Sequence, residues 1–183
     1  MGMRNLVIIL GDQLDPESAA LDGFESGRDL VWMAELPQEA THVWSHKARI
    51  ALFLAAMRHF ANAVDKRRYR LRYLRLGEHD HNNFRQALTA EIERERPERL
   101  VVAQPGEYRV LTQLREVART SGLDLELRED RQFLIGLEEF TNWAAGRKTL
   151  RLEHFYRYMR QRTGLLMENR NRAARYGLDG KLI

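Results

Sequence analysis

The chain has 183 residues, of which 44% are hydrophobic and 31% are charged, the composition of one soluble globular domain rather than of a disordered segment. It contains no cysteine, which excludes disulfides, thiolate catalysis, iron–sulfur ligation and cysteine-based zinc sites within these residues. The net charge of +4 is mildly basic. No apolar run approaches the roughly 18 residues of a membrane span, and the start of the chain does not resemble a secretory leader, so we expect a cytoplasmic protein.

Short apolar runs alternate with helical patterns along the first two thirds of the chain. Apolar or alternating residues predict strands, in chain order, at 5–10, 29–34, 70–76, 99–103 and 123–128. Apolar residues repeating at three and four positions predict helices at 45–64 with Ser45 as N-cap, at 83–95, and at 107–121 with Gly122 as the stop. This alternation predicts an α/β fold, a Rossmann-like five-stranded parallel sheet with helices on both faces.

The pattern changes in the last third, where aromatic blocks at 140–143 and 155–158 lie in polar sequence and one helix is predicted at 152–162. We therefore divide the chain into an α/β domain at 1–134 and a C-terminal extension at 135–183. Two interpretations of the aromatic blocks are open: ordinary core that covers the edge of the sheet, or an apolar patch that meets a further domain or a second copy in a homodimer. The basic stretch at 147–175 fits a solvated helix face better than a phosphate-binding surface.

Polar residues follow three of the predicted strands. Gly11 and Asp12 follow the first strand, the segment from Glu35 to His42 follows the second, and Glu107 comes shortly after the fourth. Ligands of open parallel sheets bind beyond the carboxyl ends of the strands, where the strand order reverses. Carboxylates and amides there suit a neutral, hydroxyl-rich ligand with ring nitrogens. No glycine-rich phosphate loop follows the first strand, which argues against classical NAD or ATP binding.

Each of these residues also has a structural interpretation, as a turn or cap residue or as half of an ion pair. The histidines at 42, 46, 79 and 81 do not form a convincing ligand set, and we predict no metal site. No nucleophile elbow is present, so no catalytic residue is predicted in this chain.

Several longer blocks occur in a specific order. They are LVIILGDQL at 6–14, MRHFA at 57–61, PGEYR at 105–109, FTNWAAGRK at 140–148 and RTGLLM at 162–167. Over residues 5–167 the chain thereby resembles the deoxyribodipyrimidine photolyase-related family, which comprises iron–sulfur bacterial cryptochromes and prokaryotic (6-4) photolyases. The resemblance implies the photolyase N-terminal type of Rossmann-like domain, which holds a light-harvesting antenna pigment, usually 6,7-dimethyl-8-ribityllumazine.

Members of that family are much longer than this chain. The resemblance implies that a helical C-terminal domain, expected to be missing here, holds FAD and a cysteine-ligated 4Fe–4S cluster for light-driven repair of DNA photolesions. We therefore expect this chain to be a non-catalytic antenna domain that meets DNA only through the full-length protein. Two alternatives stay open: a standalone α/β binding or dimerisation module without pigment, and a nucleotide-binding α/β enzyme.

The resemblance also implies a set of pigment-contacting residues, with Glu39 and Glu107 hydrogen-bonded to the pterin-like ring or its ribityl chain and Phe53 on the helix face that lines the pocket. The whole predicted set is Leu10, Gly11, Asp12, Glu35, Gln38, Glu39, Ala40, His42, Phe53 and Glu107.

Overall fold

The computed structural model describes residues 2–38 and 46–167. Its five strands are β1 (Asn5–Ile8), β2 (Asp29–Ala34), β3 (Leu71–Leu74), β4 (Arg99–Ala103) and β5 (Asp124–Arg128). They form one sheet in the order β3-β2-β1-β4-β5, and every neighbouring pair is parallel. The predicted five-stranded parallel sheet of an α/β fold is confirmed.

The described helices are α1 (Lys47–Lys66), α2 (Phe84–Glu95), α3 (Tyr108–Ser121), α4 (Leu137–Ala144) and α5 (Leu152–Thr163), with a short 3₁₀ turn at Ala19–Leu21. The Asn83 side chain caps α2 by accepting from the Gln86 amide at 2.9 Å. Gly122 ends α3 in the left-handed region, with φ of 66°. The N-cap of α1 is His46, not the predicted Ser45, which lies outside the described residues.

Alternating side chains along the strands produce two cores, one on each face of the sheet. Val7, Val31 and Val101 point to the face that α1 covers, and this core includes Met57 and Phe60 of that helix. The intervening strand residues point to the opposite face, where they pack against apolar residues of α2 and α3. Helices therefore cover both faces, as predicted.

The order of the strands reverses next to β1. The chain runs from β1 outward to β2 and β3, and it then crosses back to place β4 on the other side of β1. The Gln13 amide, just after β1, donates to the main-chain oxygens of Ala103 and Gln104 at 3.3 and 3.0 Å. It thereby ties together the two strand ends that border the crevice where such sheets bind ligands.

A second compact unit begins at Leu134, and within it the aromatic blocks pack against each other. The ring centroids of Trp143 and Phe155 are 4.8 Å apart, and those of Phe140 and Phe155 are 5.2 Å apart. These rings form the small core of α4 and α5. Helix α4 itself was not predicted, because two turns are too short for a clear periodicity. Homodimer formation through an apolar patch of the aromatic blocks stays a prediction.

Candidate functional site

A cavity of about 430 Å³ lies at the carboxyl edge of the sheet. Its walls come from the ends of β1 and β2, the first half of α1 and the start of α3. Six of the predicted site residues line it: Leu10, Gly11, Asp12, Glu35, Phe53 and Glu107. Gln38 is described but is not among the lining residues. Three others lie outside the described residues: Glu39, Ala40 and His42.

Glu35, at the end of β2, is buried with a full set of hydrogen bonds. Arg58 of α1 approaches it in a bidentate manner, with Nε to Oε1 and Nη2 to Oε2 both at 2.9 Å. The Tyr73 hydroxyl also donates to Oε1, and the Leu76 amide donates to Oε2 at 2.9 Å. The carboxylate therefore holds β2, α1 and the end of β3 together at one wall of the cavity.

These contacts determine the ionisation of the group. Burial by itself raises the pKa of Glu35, but the hydrogen bonds from Arg58, Tyr73 and the Leu76 amide outweigh burial and hold that pKa below its usual value. The pKa of Tyr73 is raised by desolvation and by the neighbouring Glu35 carboxylate. Glu35 is thus a charged carboxylate at neutral pH whose oxygens already have donors from the protein.

The opposite wall, at the ends of β1 and β4, is acidic and more open. Asp12 is an exposed residue, yet the protein atoms around its carboxyl group desolvate it and raise its pKa, and the nearby carboxylates of Asp130 and Glu107 raise it further. Glu107 accepts from Arg109 Nε at 2.8 Å and from Arg109 Nη2 at 3.2 Å. Arg49 of α1 adds a second positive charge to the lining.

Gly11 allows an aromatic ring to pack directly on the main chain beyond β1. A Cβ atom at Gly11 would lie 2.4 Å from Cζ of Phe53 and 3.1 Å from Sδ of Met57. The ring of Phe53 therefore occupies the space of the missing side chain, while the residue remains 38% exposed. Gly11 is required here for close approach, and Phe53 is part of the cavity wall.

Sequence reasoning missed Trp32 of β2, which also lines the cavity. Trp32 is 1% exposed, and its ring makes an edge contact with Phe84 at a centroid distance of 5.8 Å. Its indole Nε1 is buried and has no hydrogen-bond partner in the described part of the chain. The available signal was a tryptophan, which has one polar N–H group, in the second half of a buried strand that leads into a predicted site.

The cavity combines apolar walls with carboxylate acceptors and the two arginines Arg49 and Arg109, and this set fits a planar heterocycle with a hydroxylated side chain. Its volume lies within the usual range for small-molecule sites, about 300–1,000 Å³. Within residues 2–38 and 46–167, no cluster of histidine, aspartate or glutamate has the geometry of a metal site. Those same ranges contain no helix long and apolar enough to cross a bilayer.

Comparison with known proteins identifies the family of the chain. A family model described as deoxyribodipyrimidine photo-lyase-related protein matches residues 7–180. The chain is 45% identical over 166 residues to a protein of Agrobacterium fabrum named (6-4) photolyase. The alignment covers 90% of this chain and 33% of the relative, so the chain spans about a third of the length of that curated relative. The chain therefore belongs to the deoxyribodipyrimidine photo-lyase-related protein family.

Proposed function

We propose that this chain is the antenna domain of a photolyase-related protein and that it binds 6,7-dimethyl-8-ribityllumazine in the cavity at the carboxyl edge of the sheet. The observation that carries the proposal is the coincidence of this cavity with the strand-order reversal beside β1. The cavity gathers Asp12, Phe53 and Glu107 from three separate elements. Apolar walls with a few convergent polar groups are the usual make-up of a small-molecule site.

The two walls have different tasks in this proposal. The carboxylates of Asp12 and Glu107 accept hydrogen bonds from ligand hydroxyls, because an ionised carboxylate is purely an acceptor. Phe53 offers an apolar ring face to the heterocycle. Glu35 keeps β2, β3 and α1 in place, since its oxygens already accept from Arg58, Tyr73 and the Leu76 amide. When bound, the lumazine would supply absorption in the near-ultraviolet or violet.

The activity of the full-length protein is a wider proposal, because the chain spans about a third of the relative named (6-4) photolyase. We propose that the full-length form works in the cytoplasm and passes absorbed energy to FAD for light-driven repair of DNA photolesions. FAD and a 4Fe–4S cluster would be held by residues beyond the 183 of this chain, which has no cysteine to ligate a cluster.

The test is a titration of the purified chain with 6,7-dimethyl-8-ribityllumazine, followed by absorption and fluorescence. We expect saturable binding with a spectral shift, and about tenfold weaker binding by Glu107→Gln, which loses one charged acceptor. Glu17→Gln is the matched control, since Glu17 is 80% exposed in an ion pair with Arg67 and is not among the lining residues. Absence of binding by the folded parent chain, checked by circular dichroism, contradicts the proposal.

A further inference from the structure

We infer that the cavity accepts the free hydroxylated chain of its ligand and rejects a phosphate ester of that chain, with Asp130 as a specificity-determining residue. This inference rests on the proposed function and adds to it a ligand class and a residue. Asp12 follows β1, Glu107 follows β4 and Asp130 follows β5. Because β1, β4 and β5 are parallel neighbours in the sheet, their carboxyl ends bring these three carboxyl groups to one part of its edge.

Hydrogen bonds hold the carboxylate of Asp130 close to Asp12. Nε2 of Gln13, the residue next to Asp12, donates to Asp130 Oδ2 at 3.2 Å and to the main-chain oxygen of Gln104 at 3.0 Å. Gln13 is 2% exposed, so this link is buried. The Gln132 amide donates to the other oxygen, Asp130 Oδ1, at 2.9 Å. Both donors are neutral amides, so they fix the position of the carboxylate without neutralising its charge.

The electrostatic field at Asp12 is negative. Desolvation raises the pKa of Asp12, and the carboxylates of Asp130 and Glu107 raise it further. Glu107 has this effect although Arg109 binds it through two nitrogens. The charged groups that act on Asp12 are therefore both anionic, and they act beside apolar cavity walls, where charges interact more strongly than in water. A further anion placed at Asp12 meets the repulsion that Asp12 itself meets.

The usual phosphate-binding element of a parallel sheet is missing at this point. Such sheets hold phosphates at the N-terminus of a helix that directly follows the first strand. The residues between β1 and β2, all of them described, contain a short 3₁₀ turn at Ala19–Leu21 and no α-helix. The start of α3 does border the cavity, but its N-cap residue is Glu107. The negative charge of Glu107 offsets the positive end of that helix.

The chemistry of the ligand chain decides how it meets these carboxylates. In the proposed function the chain hydroxyls donate to Asp12 and Glu107, and a hydroxyl has a proton for this purpose. A phosphate monoester at neutral pH offers only acceptor oxygens and carries between one and two negative charges. Esterification therefore replaces a hydrogen bond by a repulsion between like charges. Arg49, an exposed cation on the α1 wall, is not among the groups that act on Asp12 and does not offset this repulsion.

The test compares 6,7-dimethyl-8-ribityllumazine with its 5′-phosphate ester, because the two ligands share one chromophore and differ only in the phosphoryl group. We expect the ester to bind the parent chain at least about tenfold more weakly at low salt, with a ratio that shrinks as salt is added. Asp130→Asn should lower the ratio about threefold and leave the affinity for the free lumazine unchanged, since Asp130 is not a lining residue. Asp124→Asn is the matched control, because Asp124 is an exposed aspartate at the opposite end of β5.

The outcomes separate this inference from the proposed function. Equal binding of the two ligands by the parent overturns the inference and leaves the proposed function standing. Tighter binding of the ester, with the gain lost in Arg49→Met, also overturns it and assigns the chain end to Arg49. A ratio that is the same in Asp130→Asn and in the parent removes the role of Asp130. The salt dependence of the ratio in the parent tests the repulsion without any substitution. No lumazine binding by the folded parent overturns both proposals.

Discussion

Both walls of the cavity carry a carboxyl group, but the two groups differ in burial and in the direction of their pKa shift. At the end of β2, Glu35 is buried and has a lowered pKa, because Arg58, Tyr73 and a main-chain amide donate to it. At the end of β1, Asp12 is exposed and has a raised pKa, because desolvation and two neighbouring carboxylates act on it. Position at the carboxyl edge of the sheet therefore does not by itself decide the role of a carboxylate. Glu35 acts as a structural group because it already accepts four hydrogen bonds from the protein.

The largest effect is expected from removing the charge of Glu35, whose oxygens already accept hydrogen bonds from the protein. Glu35→Gln replaces an acceptor by an amide that faces Arg58, and one partner of a buried, hydrogen-bonded pair is lost. We expect the free energy of unfolding to fall by about 2 kcal/mol, the lower end for such pairs because Arg58 is 49% exposed. Denaturant unfolding at pH 7 measures this loss.

The stability lost in Glu35→Gln should depend on pH. The folded pKa of Glu35 is lowered, so its stabilising contribution is present above the unfolded pKa of about 4.3 and disappears as pH falls through the folded pKa. The stabilities of the parent and of Glu35→Gln should therefore converge in acid. Glu17→Gln, at an exposed ion pair, should change stability by less than about 0.5 kcal/mol. An equal loss in both variants would mean that burial of the pair is irrelevant.

The second effect concerns the contact of Gly11 with the Phe53 ring, which lines the cavity. In Gly11→Ala the new methyl group requires the Phe53 ring, 2.4 Å away, to move, and we expect the ring to turn into the cavity. Lumazine binding should weaken about tenfold, equivalent to about 1.4 kcal/mol. The double variant with Phe53→Leu should restore most of the affinity, because the smaller side chain leaves room for the methyl group. Unchanged affinity in the single variant would show that the ring moves outward.

The positions of the strands and of the loops that follow them could largely be predicted from the sequence. The bounds of β2 and β4 were predicted to the residue, because each is a continuous apolar run bounded by polar or turn residues. The strand ends also identified the loops of Gly11, Asp12 and Glu107, since parallel strands all end at one edge. For β1 and β3 the apolar pattern continues beyond the paired residues, so both strands are shorter than predicted.

The interactions that give the site its properties were not predictable in the same way. Tyr73 lies 38 positions from Glu35 in sequence, and nothing in the local pattern of an edge strand indicates its contact. Trp32 looks like an ordinary core residue of a buried strand, and its unpaired N–H becomes visible only when the neighbouring helices are placed. A glycine at position 11 would fit any turn. The packing that requires it involves the Phe53 ring, which belongs to a helix about 40 residues later.

The third effect tests whether the geometry of the Glu35 contact matters beyond its charge. Arg58→Lys keeps the positive charge but replaces a bidentate contact, with both distances 2.9 Å, by a single one. We expect a loss of about 1 kcal/mol in the free energy of unfolding, less than for Glu35→Gln. Arg67→Lys, at the exposed pair with Glu17, is the control. If Arg58→Lys is as stable as the parent, only the charge of residue 58 matters and the bidentate geometry does not.

The smallest effect has the opposite sign and comes from the open wall. Because the folded pKa of Asp12 is raised, the folded state holds its proton to higher pH than the unfolded state, and ionisation above that range lowers stability. Asp12→Asn removes this cost, so the variant should be more stable than the parent at pH 7 by a few tenths of a kcal/mol, a small value because solvent screens an exposed group. The difference should vanish near pH 3, where the carboxyl group is protonated in both states.

Thermal unfolding across this pH range separates the two roles of Asp12, with Asp80→Asn on the exposed loop after β3 as the control. A gain at pH 7 confined to Asp12→Asn identifies a carboxylate held at some cost beside Glu107 and Asp130, as a residue kept for ligand binding should be. A loss at pH 7 instead assigns Asp12 to the turn after β1, because a stabilising turn residue cannot be improved by removing its charge. In that case the acceptors for the ligand hydroxyls reduce to Glu107, and the contrast between the two walls disappears.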